Sequence, residues 1–271
     1  MKISRRAKWI LGGLTFLVLG FIYIPLAVVV INSFNPSRTF SWPPTSFSTV
    51  WWGKVFANPE VTSSLLTSLK AGLGATVISV ILGSCIAFAV SRYNFFAKNT
   101  ISLLVVLPIA LPGIVTGIAL NSAFNTLLQP LGIGLGLATV IIGHATFCIV
   151  IVYNNLLARL RRIGGTLEEA SSDLGASTFQ TFAYVTFPMI RSALVAGGLL
   201  AFALSFDEIV VTTFTSGASV QTLPQWIFNN LFRPNQAPIV NVVATILLVA
   251  FMLPVWLSQK LSGGSAAGSR L

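Results

Sequence analysis

Two adjacent acids, Asp207 and Glu208, stand in the stretch ALSFDEIVVTTF, whose other residues are mostly apolar or small. Carboxylates in such surroundings bind a cation, hold a proton or form an ion pair, because an unpartnered buried charge costs too much free energy. The single histidine, His144, lies in a second apolar stretch, IIGHATF, where it could relay protons or bond a neighbouring helix. The environment of these three side chains decides which chemistry is open to them.

The composition indicates that this environment is a lipid bilayer. Hydrophobic residues make up 55% of the 271 residues and charged residues only 8%, outside the range of soluble domains. Apolar runs of about 18 residues or more can cross a hydrocarbon core of about 30 Å, and they are too long for barrel strands. We predict an all-α integral membrane protein with one membrane-spanning domain over residues 1–271. Six transmembrane helices are predicted near residues 9–31, 63–90, 100–124, 133–157, 191–214 and 239–258.

The basic residues predict the orientation of these helices. If the N-terminus is cytoplasmic, twelve of the 16 Lys and Arg residues fall on the inner side. Cytoplasmic loops carry such an excess, so the net charge of +10 reports topology and not a nucleic-acid partner. Both termini are then cytoplasmic, and the first apolar run is an uncleaved helix because it exceeds a typical signal-peptide core. The outer side keeps Arg38, Lys54, Lys70 and Arg233.

The fifth predicted helix carries the two acids. Counted from Ser192 at about 1.5 Å per residue, they lie about 20 Å from the cytoplasmic face, in the outer third of the bilayer. Adjacent helical residues point about 100° apart. Glu208 then shares a small polar stripe with Ser205 and Thr212, whereas Asp207 lies among apolar residues. We predict a substrate path with Glu208 first and Asp207 second, together with Ser205 and Thr212.

Several roles remain open at this stage. Lys70 lies at a similar depth in the second helix and could pair with Asp207, so the acids either contact a cation or neutralise this lysine. In the third helix, Pro108 and Pro112 indicate either a packing kink or a moving, pore-lining helix. No catalytic or metal-binding motif is recognisable, so we predict that the chain is not an enzyme and has no cofactor of its own.

The segment 158–190, between the fourth and fifth helices, has strong signals for two short helices. Thr166 and Glu169 have the spacing of a capping box, and Gly175 is placed to end the first helix in the left-handed conformation. Ser177 and Gln180 repeat the capping signal. Pro188 then suits the first turn of the next helix. Leu167, Ala170 and Leu174 form a small apolar stripe suited to docking on another protein.

This segment resembles the cytoplasmic loop of ABC importer permeases, which has the form E-A-A-x-x-x-G, nine residues, then I-x-L-P. Here Glu169, Ala170 and Ser171 precede Gly175, and Pro188 closes the pattern at the same spacing. The departures are conservative: Ser at 171, Val at 185 and Phe at 187. The resemblance implies a type I importer permease fold, with a coupling loop at Glu169, Ala170, Ser171, Leu174, Gly175 and Pro188 that contacts an ATPase subunit.

The stretches GHATFCIVIVYNNLLARLRR, EEASSDLGAS and LAFALSFDEIVVTTFTSG are together similar to the second membrane subunit of spermidine/putrescine importers. This resemblance implies a bacterial inner-membrane protein that pairs with a homologous permease, two ATP-binding cassette subunits and an external solute-binding protein. ATP and magnesium would be bound on the partner ATPase. The solute would be a polyamine. The alternatives are an opine, γ-aminobutyrate, an aminophosphonate, thiamine or iron(III), or a secondary transporter with an acidic proton relay.

Overall fold

The computed structural model describes residues 4–38, 42–233 and 235–266, with side chains described as far as Met252 in the last range. All regular secondary structure in these residues is helical, which confirms the predicted all-α class. A short 3-10 helix, Gln129–Leu131, and a π-helical segment, Phe182–Thr186, accompany the α-helices. The α-helices are α1 Arg5–Asn32, α2 Val50–Phe56, α3 Pro59–Arg92, α4 Lys98–Ala110, α5 Gly113–Leu127, α6 Leu137–Ile163, α7 Thr166–Asp173, α8 Thr178–Thr181, α9 Phe187–Phe206, α10 Val210–Thr215, α11 Leu223–Asn230 and α12 Ala237–Ala266.

Four helical segments in the described residues are long and apolar enough to cross a membrane, and a bent pair would make a fifth span. The run predicted at 239–258 falls on α12, whose described side chains end at Met252. Residues 1–3 and 267–271 lie outside the described part of the chain. The count of six spans and the cytoplasmic termini therefore remain predictions. The four long segments are Arg5–Asn32, Pro59–Arg92, Leu137–Ile163 and Thr178–Phe206.

The third predicted helix, at 100–124, is not one continuous rod. It consists of α4 and α5, which are bent by 107° relative to each other. Leu111 between them is extended, with φ −83° and ψ 145°, because the ring of the following Pro112 disfavours helical backbone at the preceding residue. Pro108, in contrast, stays inside α4. Of the two prolines singled out in the sequence, Pro112 makes the break.

Ser63–Trp226 form one compact unit, which is built around α6. Tyr153, Leu156 and Leu160 of α6 are almost completely buried, and they pack with residues of α3 and α9. Glycines allow this close packing. A Cβ added at Gly83 of α3 would lie 3.0 Å from the Ile149 carbonyl oxygen of α6. Contacts of this kind are typical of helices that associate by close backbone approach in membranes.

The other unit comprises the described residues within Met1–Thr62 and Ile227–Leu271. Within it, α12 packs against α1 and α2. The Trp51 indole N–H donates to the Pro36 carbonyl oxygen at 3.3 Å, and that of Trp52 donates to the Ser33 carbonyl oxygen at 3.2 Å. No residue of α1 is fully buried, and most of this long apolar helix before residue 28 is exposed. Lipid or a partner helix suits such a surface.

Candidate functional site at the ends of helix α9

The two acids lie in a break between helices. Helix α9 ends at Phe206, Asp207 has φ −90° and ψ 1°, and α10 starts only at Val210. The sequence expectation of one helix through residues 191–214, with the acids about 100° apart on its surface, is therefore wrong at this point. The break contains neither Gly nor Pro, so its local sequence carries no strong signal.

The Glu208 side chain helps to begin α10. Its Oε1 accepts a hydrogen bond from the Val211 backbone N–H at 2.9 Å, which satisfies one of the donors that a helix start leaves without a partner. The side chain is half-buried. Its carboxylate therefore has a fixed direction at the break.

His144 of α6 bonds both sides of the break. Its Nδ1 lies 2.8 Å from Ser205 Oγ on α9, and its Nε2 lies 2.9 Å from Thr212 Oγ1 on α10. All three side chains are buried, with exposed fractions of 2% or less. Ser205 and Thr212, predicted from the sequence to line a path, point instead into the protein interior. The three residues come together only in the tertiary structure.

The break at Glu208 faces the break between α4 and α5. The two enclose an open cleft of about 130 Å³ whose walls are mainly apolar. Glu208 is the one ionisable side chain among its lining residues. The cleft is lined by Pro108, Ile109, Leu111, Gly113, Thr116, Phe147, Leu204, Glu208 and Val211.

Packing between α5 and α10 keeps the two breaks together. The Asn121 side-chain amide donates to the Phe214 carbonyl oxygen at 2.6 Å. One turn away, Gly117 leaves room for the Phe214 ring, since a Cβ added there would lie 2.5 Å from ring atom Cδ2. Both contacts tie the second half of one interrupted segment to the second half of the other.

The proposed ion pair between Lys70 and Asp207 is not formed. Both side chains are exposed. Among the described residues, an ion pair joins Arg92 and Glu168 instead. Asp207 is exposed at the break and does not lie in the protein interior.

The loop before α9 follows most of its sequence signals. Gly175 has φ +84°, the left-handed conformation expected of a residue that ends a helix. Ser177 and Gln180 form the predicted capping box, with bonds of 3.3 Å and 2.8 Å. Pro188 lies in the first turn of α9. The Thr166 capping box is wrong, because α7 already starts at Thr166, after the turn that Gly164 makes with φ +70°.

The apolar stripe of this loop is left uncovered by the described part of the chain. Leu167 is 52% exposed and Leu174 is 89% exposed, and Glu169 and Ala170 are exposed beside them. Ser171, in contrast, is half-buried and its Oγ lies 3.0 Å from Thr181 Oγ1. The stripe is thus available to another protein, whereas Ser171 joins α7 to α8.

Glu168 was not singled out from the sequence, yet it holds the loop in place. Its Oε2 lies 2.7 Å from Arg92 Nε at the end of α3, and its Oε1 accepts from Thr186 Oγ1 at 2.9 Å. Arg92 Nη2 also donates to the Gly164 carbonyl oxygen at 2.5 Å. The available signal was the position of Arg92, a lone cation just past the second apolar run.

No group of three or more His, Cys, Asp or Glu residues that could hold a metal ion occurs in the described part of the chain. Interrupted helices, a cleft between them and an exposed loop are features of membrane transport subunits. Residues 75–263 match the family described as "Binding-protein-dependent transport system inner membrane component". The chain belongs to this family. It is an inner-membrane permease subunit of an ABC importer and not an enzyme.

The chain is similar to individual permeases along most of its length. It is 34% identical to the putrescine transport system permease protein PotI of Escherichia coli, over 90% of this chain and 87% of that protein. It is also 34% identical to the spermidine/putrescine transport system permease protein PotC of Haemophilus influenzae, over 91% of this chain and 94% of that protein.

A solved structure has the same fold. It is a bacterial ABC transporter involved in the import of the acidic polysaccharide alginate, matched with a TM-score of 0.70 and 16% identity, over 96% of this chain and 99% of that chain. The family implies a system with a further permease component, an ATPase and a binding protein. An autonomous secondary transporter, the alternative from another class, does not fit this family.

Proposed function

We propose that this chain forms half of the translocation path for a small cationic solute, a polyamine such as putrescine or spermidine. The observation that carries the proposal is the Glu208 carboxylate, half-buried at a helix break on a mainly apolar cleft. A carboxylate at membrane depth costs several kcal/mol unless a cation or water offsets it. The names of the relatives, which are permeases for putrescine and for spermidine, support the same class of solute.

Within this path, Glu208 contacts the solute first and Asp207 second, because both are accessible at the break. Ser205 and Thr212 have a different role in our proposal. Their hydroxyl groups are occupied by His144 and are nearly inaccessible, so they hold the break and do not touch the solute.

The partners in this proposal are a homologous permease, two ATP-binding cassette subunits and an external solute-binding protein. The segment with Glu169, Ala170 and Leu174 docks on one ATPase subunit, which binds ATP and magnesium. Its exposed apolar stripe supports this role, because such a surface is stabilised by burial in a groove. Ser171, Gly175 and Pro188 shape the loop by joining α7 to α8, turning the chain and starting α9.

Uptake by the assembled importer tests the path. Glu208→Gln keeps the size of the side chain and removes its charge. We expect uptake of labelled putrescine, measured well below saturation, to fall at least tenfold, since hydrogen bonds to charged groups contribute about 1.5–3 kcal/mol. Asp207 is adjacent to Glu208 and more exposed, so Asp207→Asn should lower uptake less than Glu208→Gln does. Unchanged uptake by Glu208→Gln at a normal membrane level would overturn the proposal.

Competition identifies the solute. Unlabelled spermidine should inhibit putrescine uptake, and the opines, γ-aminobutyrate, aminophosphonates, thiamine and iron(III) should not. If one of these solutes is transported and putrescine is not, the chain is a permease of an ABC importer with that solute as its substrate. Purified permease without its ATPase should transport nothing.

A further inference from the structure

The hydrogen bonds around His144 form a directed chain that ends at Glu208. Thr212 Oγ1 donates its only hydrogen to the Glu208 carbonyl oxygen at 2.6 Å. In its bond to His144, this oxygen can therefore only accept, so Nε2 of the ring carries the hydrogen. In the neutral ring, Nδ1 is then an acceptor, and Ser205 Oγ donates to it.

This chain of hydrogen bonds thus runs from the Ser205 hydroxyl group, through the imidazole ring, to the Thr212 hydroxyl group and the Glu208 backbone carbonyl. It crosses from the last turn of α9 to the first turn of α10, over residues 207–209, which lie between the two helices. One turn further along α6, Phe147 lies 5.6 Å from the His144 ring, centroid to centroid, and lines the cleft that Glu208 faces. The same part of α6 therefore fixes both the break and a wall of the cleft.

We propose that His144 is a positioning residue, which holds the α9–α10 break open in the one geometry that presents the Glu208 carboxylate to the cleft. This inference rests on the proposed function, in which Glu208 meets a cationic solute. His144 does not touch the solute itself, because its side chain is completely buried. It acts through Ser205 and Thr212.

Two pairs of variants separate positioning from general stability. Thr212→Val keeps the shape of the side chain and breaks the hydrogen-bond chain, whereas Thr212→Ser keeps the hydroxyl group. His144→Gln can place an amide N–H near the position of Nε2, and the shorter His144→Asn cannot. Thr139→Val is the matched control: Thr139 is also buried on α6 and donates to α10, at the Thr215 carbonyl oxygen, but it does not touch the break.

The experiment measures uptake of labelled putrescine, a divalent cation, and of labelled spermidine, a trivalent cation, by the assembled importer. The ratio of the two rates reports how the carboxylate is presented, because loss of a negative charge penalises the trivalent solute more. We expect Glu208→Gln, His144→Asn and Thr212→Val each to lower the spermidine-to-putrescine ratio at least threefold. The double variant of His144→Asn and Glu208→Gln should lower it no further than Glu208→Gln alone.

Thr212→Ser and His144→Gln should restore the ratio, and Thr139→Val should preserve it even if total uptake falls. If Glu208→Gln changes the ratio while Thr212→Val lowers both rates in parallel, the inference is wrong and the proposed function stands. If Glu208→Gln changes neither rate nor ratio, the proposed function is wrong and the inference with it. Thr212→Val decides the outcome should His144→Asn fail to reach the membrane.

Discussion

Helix α9 is the longest part of the continuous helix Thr178–Phe206, and the two ends of this helix are built in different ways. At its start, the turn at Gly175 and the capping box of Ser177 lie within a few residues of the conformation they produce. At its end, the break at Asp207 is held by His144, which lies more than 60 residues away in the chain. Local signals define the first end, and tertiary contacts define the second.

The largest effect is expected where the local signal is strongest. Gly175→Val places a β-branched residue at φ +84°, a conformation that costs an L-residue about 1–2 kcal/mol or more. Open space surrounds this position, so any effect comes from the backbone and not from a clash. We expect the loop to change conformation and uptake to fall at least tenfold, measured at equal membrane level.

Gly175→Asn is the corresponding rescue, because Asn tolerates the left-handed region better than other residues. It should retain most of the uptake. Gly165→Ala is the matched control, since Gly165 has φ −114° and adopts a conformation open to alanine. If Gly175→Val transports normally, the loop geometry is not fixed by this glycine, and the contrast between the two ends of α9 loses its basis.

The break between α9 and α10 should depend instead on the packing of α10 against α5. In Gly117→Ala, the added Cβ would lie 2.5 Å from Phe214 Cδ2 and 3.3 Å from Phe214 Cβ, so the whole side chain must shift. Overpacking of this kind costs about 1–3 kcal/mol, partly offset by the better helix propensity of alanine. We expect the purified permease to unfold about 2–4 °C lower.

Gly113→Ala, in the same helix, is the control for this prediction. Its nearest neighbour would be Val210 Cγ1 at 3.6 Å, an ordinary van der Waals distance. Its unfolding temperature should therefore match that of the parent or rise slightly. Equal unfolding temperatures for the two alanine variants would mean that α10 does not depend on its packing against α5.

The same distinction explains what the sequence could and could not predict. The all-α class and the turn at Gly175 follow from apolar runs and capping residues, which act within a few residues. Pro112 predicted a bend at this point of the chain. A proline does not, however, distinguish a mild kink from the 107° break that the structure shows. Helical phase placed Ser205, Glu208 and Thr212 on one stripe, and two of these residues, Ser205 and Thr212, do share one partner, His144. What the phase could not reveal was that α9 and α10 are separate helices, with Asp207 between them.

The smallest effect is expected for one tertiary contact of the loop, the ion pair between Arg92 and Glu168. The two side chains are 21% and 22% exposed, so solvent screens their attraction, and such pairs contribute about 1 kcal/mol or less. Glu168→Gln keeps the shape and can still accept from Thr186. We expect uptake to fall about two- to fourfold, which corresponds to the loss of about 1 kcal/mol or less.

A double-mutant cycle with Arg92→Gln isolates the pair, because Arg92 also binds the Gly164 carbonyl oxygen and its loss alone measures more than one contact. Asp173→Asn, an exposed acid in the same short helix, should leave uptake as it is. Added salt should weaken the parent and spare the double variant. A coupling energy much larger than about 1 kcal/mol would show that tertiary contacts hold the loop, as they hold the break. The two ends of the helix would then differ only in the kind of contact, an ion pair at one end and hydrogen bonds to His144 at the other.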